Sequence, residues 1–312
     1  MTNVFIDGSA GTTGLRIRER LAHRPELTLI TLPEELRKDT AARKDAINSA
    51  DIVFLCLPDA AAVEAAGLAE NPQACIIDTS TAHRTDPDWV YGFPELIGRE
   101  KLAGARRIAN PGCHASGFIA LVYPLIAAGL LDRDAALCCF SLTGYSGGGK
   151  SMIAQYEDPE RDPLLAAPRQ YGLTQQHKHL KEMKALCSLD RAPVFCPIVA
   201  DFYSGMEVTV PVFAGDLRGS RADVKAAYLA AYSGRIVHFD ETPDEGGFLS
   251  AAAYAGCDDM EISISGNEER LLLTARFDNL GKGASGAAIQ NMNIRLGLEE
   301  TTGLCLSERT TI

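Results

Sequence analysis

The chain has 312 residues, and single hydrophobic cores stop growing at roughly 250–300 residues, so two domains are expected. A hydrophobic content of 46% with 23% charged residues is that of an ordinary globular protein, and a net charge of −11 argues against nonspecific binding to nucleic acid or an anionic membrane. Nine cysteines, an odd number with no C-x-x-C spacing, imply neither a disulfide framework nor a zinc site. They suit a reducing cytoplasm. Residues 1–7 already read as a strand, so no signal peptide fits. The longest nearly apolar run, Gly117 to Leu131, contains Pro124 and is too short to span a bilayer.

The first stretch, Val4 to Ile6, is a short apolar strand. It runs into Gly8-Ser9-Ala10-Gly11-Thr12-Thr13-Gly14 and then an amphipathic helix from Leu15 to Leu21. Strand, glycine turn and helix begin a nucleotide-binding β-α-β unit, in which small residues let the helix N-terminus approach a pyrophosphate. The spacing is G-x-x-G-x-x-G rather than G-x-G-x-x-G. A second strand is expected over Leu27 to Leu32. Beyond it stand Glu34 and Glu35, of the kind that reads an NAD ribose, and Arg37 and Lys38, of the kind that meets a 2′-phosphate. These residues alone leave NAD and NADP open.

Ile52 to Leu57 reads as a strand buried on both faces, followed by Pro58-Asp59 and an alanine-rich helix. The next strand, Ala74 to Ile77, ends in Asp78-Thr79-Ser80-Thr81-Ala82-His83-Arg84. This turn lies where ligands collect, outside strand carboxyl ends. Arg84 is suited either to a bidentate phosphate contact or to a salt bridge within the loop. Ile108-Ala109 reads as one more short strand, leading to Asn110-Pro111-Gly112-Cys113-His114-Ala115-Ser116-Gly117. The apolar, helix-like run Phe118 to Leu131 follows. A cysteine at a helix N-terminus sits near unpaired N–H groups and the positive end of the dipole, which favours the nucleophilic thiolate. The other eight cysteines mostly lie in apolar runs and read as structural.

After Cys113 the rhythm changes. Ala136 to Leu142 is strand-like and ends in Thr143-Gly144-Tyr145-Ser146-Gly147-Gly148-Gly149-Lys150, a backbone-lined anion pocket or a flexible linker. Residues 156–170 read as a long surface loop. In His177-Lys178-His179, a helix would let only one histidine face a site, whereas an extended segment would let both. Either is suited to shuttle a proton near neutral pH, with His114 as a rival. Met206 to Phe213 and Leu271 to Phe277 read as strands, Ile262 and Ile264 alternate with serine, and Arg221 to Tyr232 and Ala284 to Leu296 read as helices. The elements do not alternate cleanly, so the second domain is expected to be a mixed sheet with helices on one face.

Taken together, Gly8–Gly14, Asp78–Arg84, Val90–Leu96, Asn110–Cys113, Gly144–Lys150, His177–Glu182 and Asn279–Asn293 resemble N-acetyl-gamma-glutamyl-phosphate reductases of the shorter second type. The Asn-Pro-Gly-Cys and Lys-Gly-Ala-Ser-Gly…Gln-Asn-Met-Asn segments are the specific marks. The longer type has Tyr-Pro-Thr after the cysteine, where this chain has His114-Ala115-Ser116. The resemblance implies an α/β fold of the semialdehyde dehydrogenase kind. A Rossmann-type dinucleotide-binding domain would span residues 1–113 with 284–312, and an α+β mixed-sheet catalytic and dimerisation domain residues 114–283.

It also implies NADPH-dependent reduction of N-acetyl-glutamyl 5-phosphate to the 5-semialdehyde in arginine biosynthesis, by a cytoplasmic homo-oligomer with no metal, no nucleic acid and no membrane partner. Cys113 would form a thioester, and His177 or His179 would move the proton. Gly8 through Gly14, Ser80 and Asn291 would hold NADP, and Arg84, Asn110, Ser146, Gly147 and Lys150 the substrate and its phosphate. Two other readings are an aspartate-semialdehyde dehydrogenase-like enzyme, which would show Asn-Cys-Ser/Thr, and a non-catalytic NADP-binding redox sensor.

Overall fold

A computed structural model describes residues 1–308 of the chain. It divides into two compact units: Met1–Gly112 with Ala284–Leu304, and Cys113–Gly283 with residues 305–308. The first boundary falls one residue earlier than the resemblance implies, because a helix begins at Cys113 itself. The tail also differs. Cys305 N–H donates to Asp258 Oδ2 at 2.8 Å and Ser307 N–H to Asp259 Oδ1 at 3.0 Å, which ties it to the second unit. Residues 309–312, expected in the first domain, lie outside the described residues.

The first unit alternates strand and helix: β1 (Thr2–Asp7), α1 (Thr12–Leu21), β2 (Leu27–Ile30), α2 (Thr40–Ser49), β3 (Ile52–Leu55), α3 (Asp59–Gly67) and β4 (Cys75–Asp78). Then come β5 (Val90–Tyr91), α4 (Pro94–Ile97), α5 (Arg99–Ala103) and β6 (Arg107–Ala109). All six strands are parallel, in the order β2-β1-β3-β4-β6-β5. Every residue of β3 is buried, as its unbroken apolar run requires of a strand covered on both faces. Val4, Ile6 and Phe54 pack with Ile17 and Leu21 on one face of the sheet, and Phe5, Val53 and Leu55 with Ile47 and Ala62 on the other. The order reverses between β1 and β3, and such a switch point opens a crevice at the strand carboxyl ends.

The second unit starts with α6 (Cys113–Ala127), five residues ahead of the helical run read from the sequence. It is apolar all round and almost wholly buried, as an interior helix must be. Gly117 is required there: a Cβ would stand 2.5 Å from Val208 Cγ2. Pro124 supplies no N–H for the Ala120 carbonyl four residues back. The Tyr232 hydroxyl donates to that carbonyl instead, at 2.6 Å.

Next come β7 (Cys138–Gly144), α7 (Gly149–Glu157), β8 (Arg169–Gln170), α8 (His179–Leu186), β9 (Val194–Ala200) and β10 (Met206–Phe213). They are followed by α9 (Arg221–Ala231), β11 (Val237–Phe239), β12 (Met260–Gly266) and β13 (Arg270–Phe277). The seven strands form a mixed sheet in the order β11-β12-β13-β10-β7-β9-β8. In β10, Met206, Val208, Val210 and Val212 are buried while Glu207, Thr209 and Pro211 are half-buried. The second set lies on the sheet face that bears the exposed Phe140, Val194 and Leu272. The stretch 156–170, read as loop, opens on the last two residues of α7 and then carries a 3₁₀ turn and β8.

After β13 a π-type turn, Gly281–Ser285, precedes the last helix, α10 (Gly286–Arg295). That helix belongs to the first unit and is buried along nearly its whole length.

Candidate active site

In the first unit the glycine turn joins β1 to α1 at the switch point. Gly8 has φ +85°, and a Cβ there would stand 2.2 Å from the Cys56 carbonyl oxygen. At Gly14 a Cβ would stand 2.5 Å from the Gly8 carbonyl oxygen. Side chains are therefore excluded at both positions, and the turn closes through Gly11 N–H donating to Gly8 at 3.0 Å. Beside it lies a cleft of about 520 Å³ whose lining includes Gly8, Ser9, Ala10, Arg18, Glu34, Glu35, Arg37 and Lys38. A backbone cradle with no room for Cβ atoms, at the N-terminus of a helix, fits the diphosphate of a dinucleotide. Burial raises the pKa of Asp7 at the end of β1, against the pull of the Arg43 guanidinium 3.0 Å away.

The turn after β4 is knotted rather than open. Buried Asp78 accepts from Ser80 N–H at 2.9 Å and Ser80 Oγ at 2.7 Å, and lies 2.6 Å from His83 Nδ1. His83 in turn stacks on Trp89 at 4.0 Å. Arg84 donates to the carbonyls of Asn110 at 2.9 Å and Thr79 at 3.0 Å. Asn110 Nδ2 donates to the Ala284 carbonyl at 3.0 Å. Fully buried Asn291 donates to the Gly92 carbonyl at 3.0 Å and to Asn110 Oδ1 at 3.1 Å. Ser80, Arg84, Asn110 and Asn291 were all expected to meet ligands. Each of these side chains makes hydrogen bonds within the first unit, and those of Arg84, Asn110 and Asn291 brace the Asn110-Pro111-Gly112 turn that delivers Cys113.

In the second unit Cys113 is the first residue of α6, at the positive end of the helix dipole, a setting that favours thiolate over thiol. A Cβ at Gly283 would come within 3.0 Å of Cys113 Cβ, so the turn after β13 presses directly on the cysteine. Asp278 shapes that turn by accepting from Leu280 N–H at 2.6 Å and Ser204 Oγ at 2.8 Å.

Three imidazoles gather at the cysteine. The His177 and His179 rings lie 4.8 Å apart, and His114 lies 5.8 Å and 5.5 Å from them. The histidine pair straddles the start of α8, with His177 before the helix and His179 its first residue. That is why both reach one site, which neither a regular helix nor an extended strand predicts in this form. Phe195 of β9 walls the group, 5.1 Å from His177. Cys113 sulfur and one ring nitrogen each of His114 and His179 lie within 4.8 Å of one another. Such donors are suited to a zinc ion. Both nitrogens of His114 are already engaged, however: Nδ1 with Ser141 Oγ at 2.6 Å and Nε2 with the Tyr171 hydroxyl at 2.7 Å. Burial, with the charges of His177 and Lys178, drives the His114 pKa down to about 3, so its ring is neutral at physiological pH. His177 is lowered too, by burial and then Lys178.

The third group is the loop at the head of α7. Buried Ser146 accepts from Asn279 Nδ2 at 3.0 Å, while Gly147 and Lys150 are exposed. Gly205 N–H donates to Asn279 Oδ1 at 2.9 Å, so one amide ties this loop to the turn that touches Cys113. Asn279 lies within a motif read from the sequence. Ser141 and Tyr171 carried no signal there, because one buried serine and one loop tyrosine look like many others.

Two sequence families match. The semialdehyde dehydrogenase NAD binding domain covers residues 3–105, and the semialdehyde dehydrogenase dimerisation domain residues 113–279. Together with the parallel sheet and the mixed sheet they define an oxidoreductase of the semialdehyde dehydrogenase class. Proteins of Brucella ovis and Brucella suis named N-acetyl-gamma-glutamyl-phosphate reductase are 48% identical over 305 and 306 residues, 94% of this chain and 98% of theirs. The chain belongs to the semialdehyde dehydrogenase family, among its N-acetyl-gamma-glutamyl-phosphate reductases. The fold is also that of aspartate semialdehyde dehydrogenase II from Vibrio cholerae (TM-score 0.72, 16% identity, 95% of this chain and 98% of that one). The aspartate semialdehyde dehydrogenase of Francisella tularensis is similar (TM-score 0.69, 15% identity, 94% and 99%).

Proposed function

We propose that the protein reduces N-acetyl-L-glutamyl 5-phosphate to N-acetyl-L-glutamate 5-semialdehyde, with release of phosphate, in arginine biosynthesis. The observation that carries this reading is the Cys113 sulfur at the head of a buried helix, with a His179 nitrogen within 4.8 Å. Cys113 thiolate attacks the acyl carbon, the C–O bond to phosphate breaks, and phosphate leaves with the electron pair as a thioester forms. Ser146 and Lys150 bind the departing phosphate. A nicotinamide dinucleotide, when bound, supplies the hydride that reduces the thioester. His179 gives a proton to the oxyanion left by hydride addition and takes it back as the C–S bond breaks, so that the semialdehyde leaves and the Cys113 thiolate re-forms; in the reverse direction the same steps run backwards. His114 is left to position rather than to move the proton, since both its ring nitrogens are engaged by Ser141 and Tyr171. His177 is half-buried beside His179 and tunes it.

The cofactor is NADP on this reading. Arg18, Arg37 and Lys38 line the cleft beside the glycine turn, and Glu34, one of the three acids there, is paired with Arg37 at 2.9 Å. A 2′-phosphate meets cations there. The bare sheet face with Phe140, Val194 and Leu272 supports a homo-oligomer in which a second copy covers it, since contiguous apolar surface marks an interaction site. Nine free thiols suit a reducing, cytoplasmic compartment. Among the described residues no helix is long and apolar enough to cross a membrane.

The test is phosphate- or arsenate-dependent reduction of NADP with each aldehyde in turn. Turnover with N-acetyl-glutamate semialdehyde and little with aspartate semialdehyde is expected. A preference for the aspartyl aldehyde would make the protein an aspartate-semialdehyde dehydrogenase, and turnover with neither would leave the redox-sensor reading.

A further inference from the structure

The chain Ser141–His114–Tyr171 has a direction, and the direction has a chemical consequence. Ser141 is fully buried, and among the described residues its hydroxyl has one hydrogen-bond partner, His114 Nδ1 at 2.6 Å. If the ring donated from Nδ1, the Ser141 proton would be a buried donor with no acceptor, which costs more than an unfilled lone pair. Ser141 therefore donates to Nδ1. The neutral His114 ring must then carry its proton on Nε2 and donate it to the Tyr171 oxygen, 2.7 Å away. That leaves the Tyr171 O–H with its own proton still to give.

Tyr171 is well placed to give it. Its N–H donates to the Pro197 carbonyl at 3.0 Å, which anchors it to β9. Four residues on, Gln175 grips the same strand, donating to the Phe195 carbonyl at 2.7 Å and accepting from Phe195 N–H at 2.9 Å. The hydroxyl meets the ring of the residue next to Cys113, and the charge of Cys113 is felt at Tyr171, whose pKa burial and that charge both raise. The phenol thus keeps its proton throughout the working pH range.

We infer that the Tyr171 hydroxyl is a hydrogen-bond donor to the oxyanion formed when the Cys113 thiolate adds to an acyl carbon, with Ser141 and His114 as the residues that position it. This rests on the proposed thioester chemistry and deepens it: in the oxyanion hole a side-chain donor joins the backbone N–H groups at the head of α6. No proton is transferred from Tyr171, which only stabilises the developing charge.

The experiment compares two reactions of Cys113 that need no nucleotide and no acyl phosphate. Acylation by p-nitrophenyl acetate passes through a tetrahedral oxyanion: the S–C bond forms, the aryl ester C–O bond breaks, and p-nitrophenolate leaves with the electron pair. Alkylation by iodoacetamide displaces iodide and forms no oxyanion. Tyr171→Phe should slow the p-nitrophenolate burst by about 10²-fold, the usual effect of losing one oxyanion donor, while alkylation stays within about twofold of wild type. Ser141→Ala, which frees the ring to take either tautomer, should slow acylation by a smaller factor in the same direction. Wild-type acylation in Tyr171→Phe overturns the inference, and so does a parallel fall in both reactions, which would mean a disturbed nucleophile. Wild-type acylation in Ser141→Ala overturns the assigned direction of the chain. Failure of the protein to reduce N-acetyl-glutamyl phosphate would instead strike the functional reading, since neither probe depends on it.

Discussion

The glycine turn of the first unit and the cysteine pocket of the second are built by opposite means. The turn is made by what is missing: at Gly8 and Gly14 a Cβ would collide with main-chain oxygens at 2.2 Å and 2.5 Å, so the backbone itself is the binding surface. The pocket is made by side chains from distant parts of the chain. Cys113, His114, Ser141, Tyr171, His177 and His179 come from α6, β7, the loop after β8 and α8. One site is set by local sterics, the other by tertiary packing. The lesson is that the first is sensitive to added atoms and the second to removed ones.

That contrast can be broken at several points. The largest effect is expected at Cys113→Ser, which should lower reduction by about 10³-fold or more while the affinity for NADPH is unchanged, measured by turnover and by fluorescence titration. In the turn the smallest possible addition should do the damage. Gly8→Ala combines a positive φ with a backbone clash and should destabilise the protein by about 2–4 kcal/mol and abolish dinucleotide binding. Ser9→Ala, which only removes atoms, should be close to neutral in the same denaturation and binding assays.

In the pocket, His179→Ala should lower kcat by about 10²-fold, the lower end for a general acid–base group, and His177→Ala by less than about tenfold. Equal losses would mean that the two histidines share the role. In the cleft, replacing Arg37 and Lys38 together by alanine should raise KM for NADP by about tenfold and leave KM for NAD unchanged, as losing charge-assisted bonds to a single phosphate requires. The smallest effect concerns His114. Its folded pKa of about 3 lies below the ordinary 6.5, so between those values the unfolded chain binds a proton that the folded chain refuses. Stability should therefore fall as pH drops below about 6.5, by up to about 1.4 kcal/mol per pH unit from this group. Urea denaturation at pH 7 and pH 5 should show a shallower fall in His114→Gln.

Legibility in the sequence follows the same division. The β1–turn–α1 start, the fully buried β3 and the helix-head cysteine could be read because each is fixed by neighbours within a few residues. The mixed sheet with helices on one face was readable as a class, though its strand order was not. Arg84, Asn110 and Asn291 look like ligand residues in sequence because they are polar and sit in motif segments. Only the fold reveals that they also donate to the carbonyls of Asn110, Ala284 and Gly92 and to the Asn110 side chain. The histidine pair was ambiguous because its meaning depends on where α8 begins, a boundary that falls between the two rings. Tyr171 was invisible, since its role is defined by a bond to a residue 57 positions away.

Cys113, of the nine cysteines, is the one that carries the acyl group in this mechanism. Mixing the protein with N-acetyl-glutamyl phosphate in the absence of reduced dinucleotide, quenching in acid and mapping the peptides by mass reads this directly. One N-acetyl-glutamyl adduct on the peptide bearing Cys113, discharged when NADPH is added before the quench, is the predicted result. An adduct on a different cysteine, or none at all in an enzyme that turns over, would contradict it.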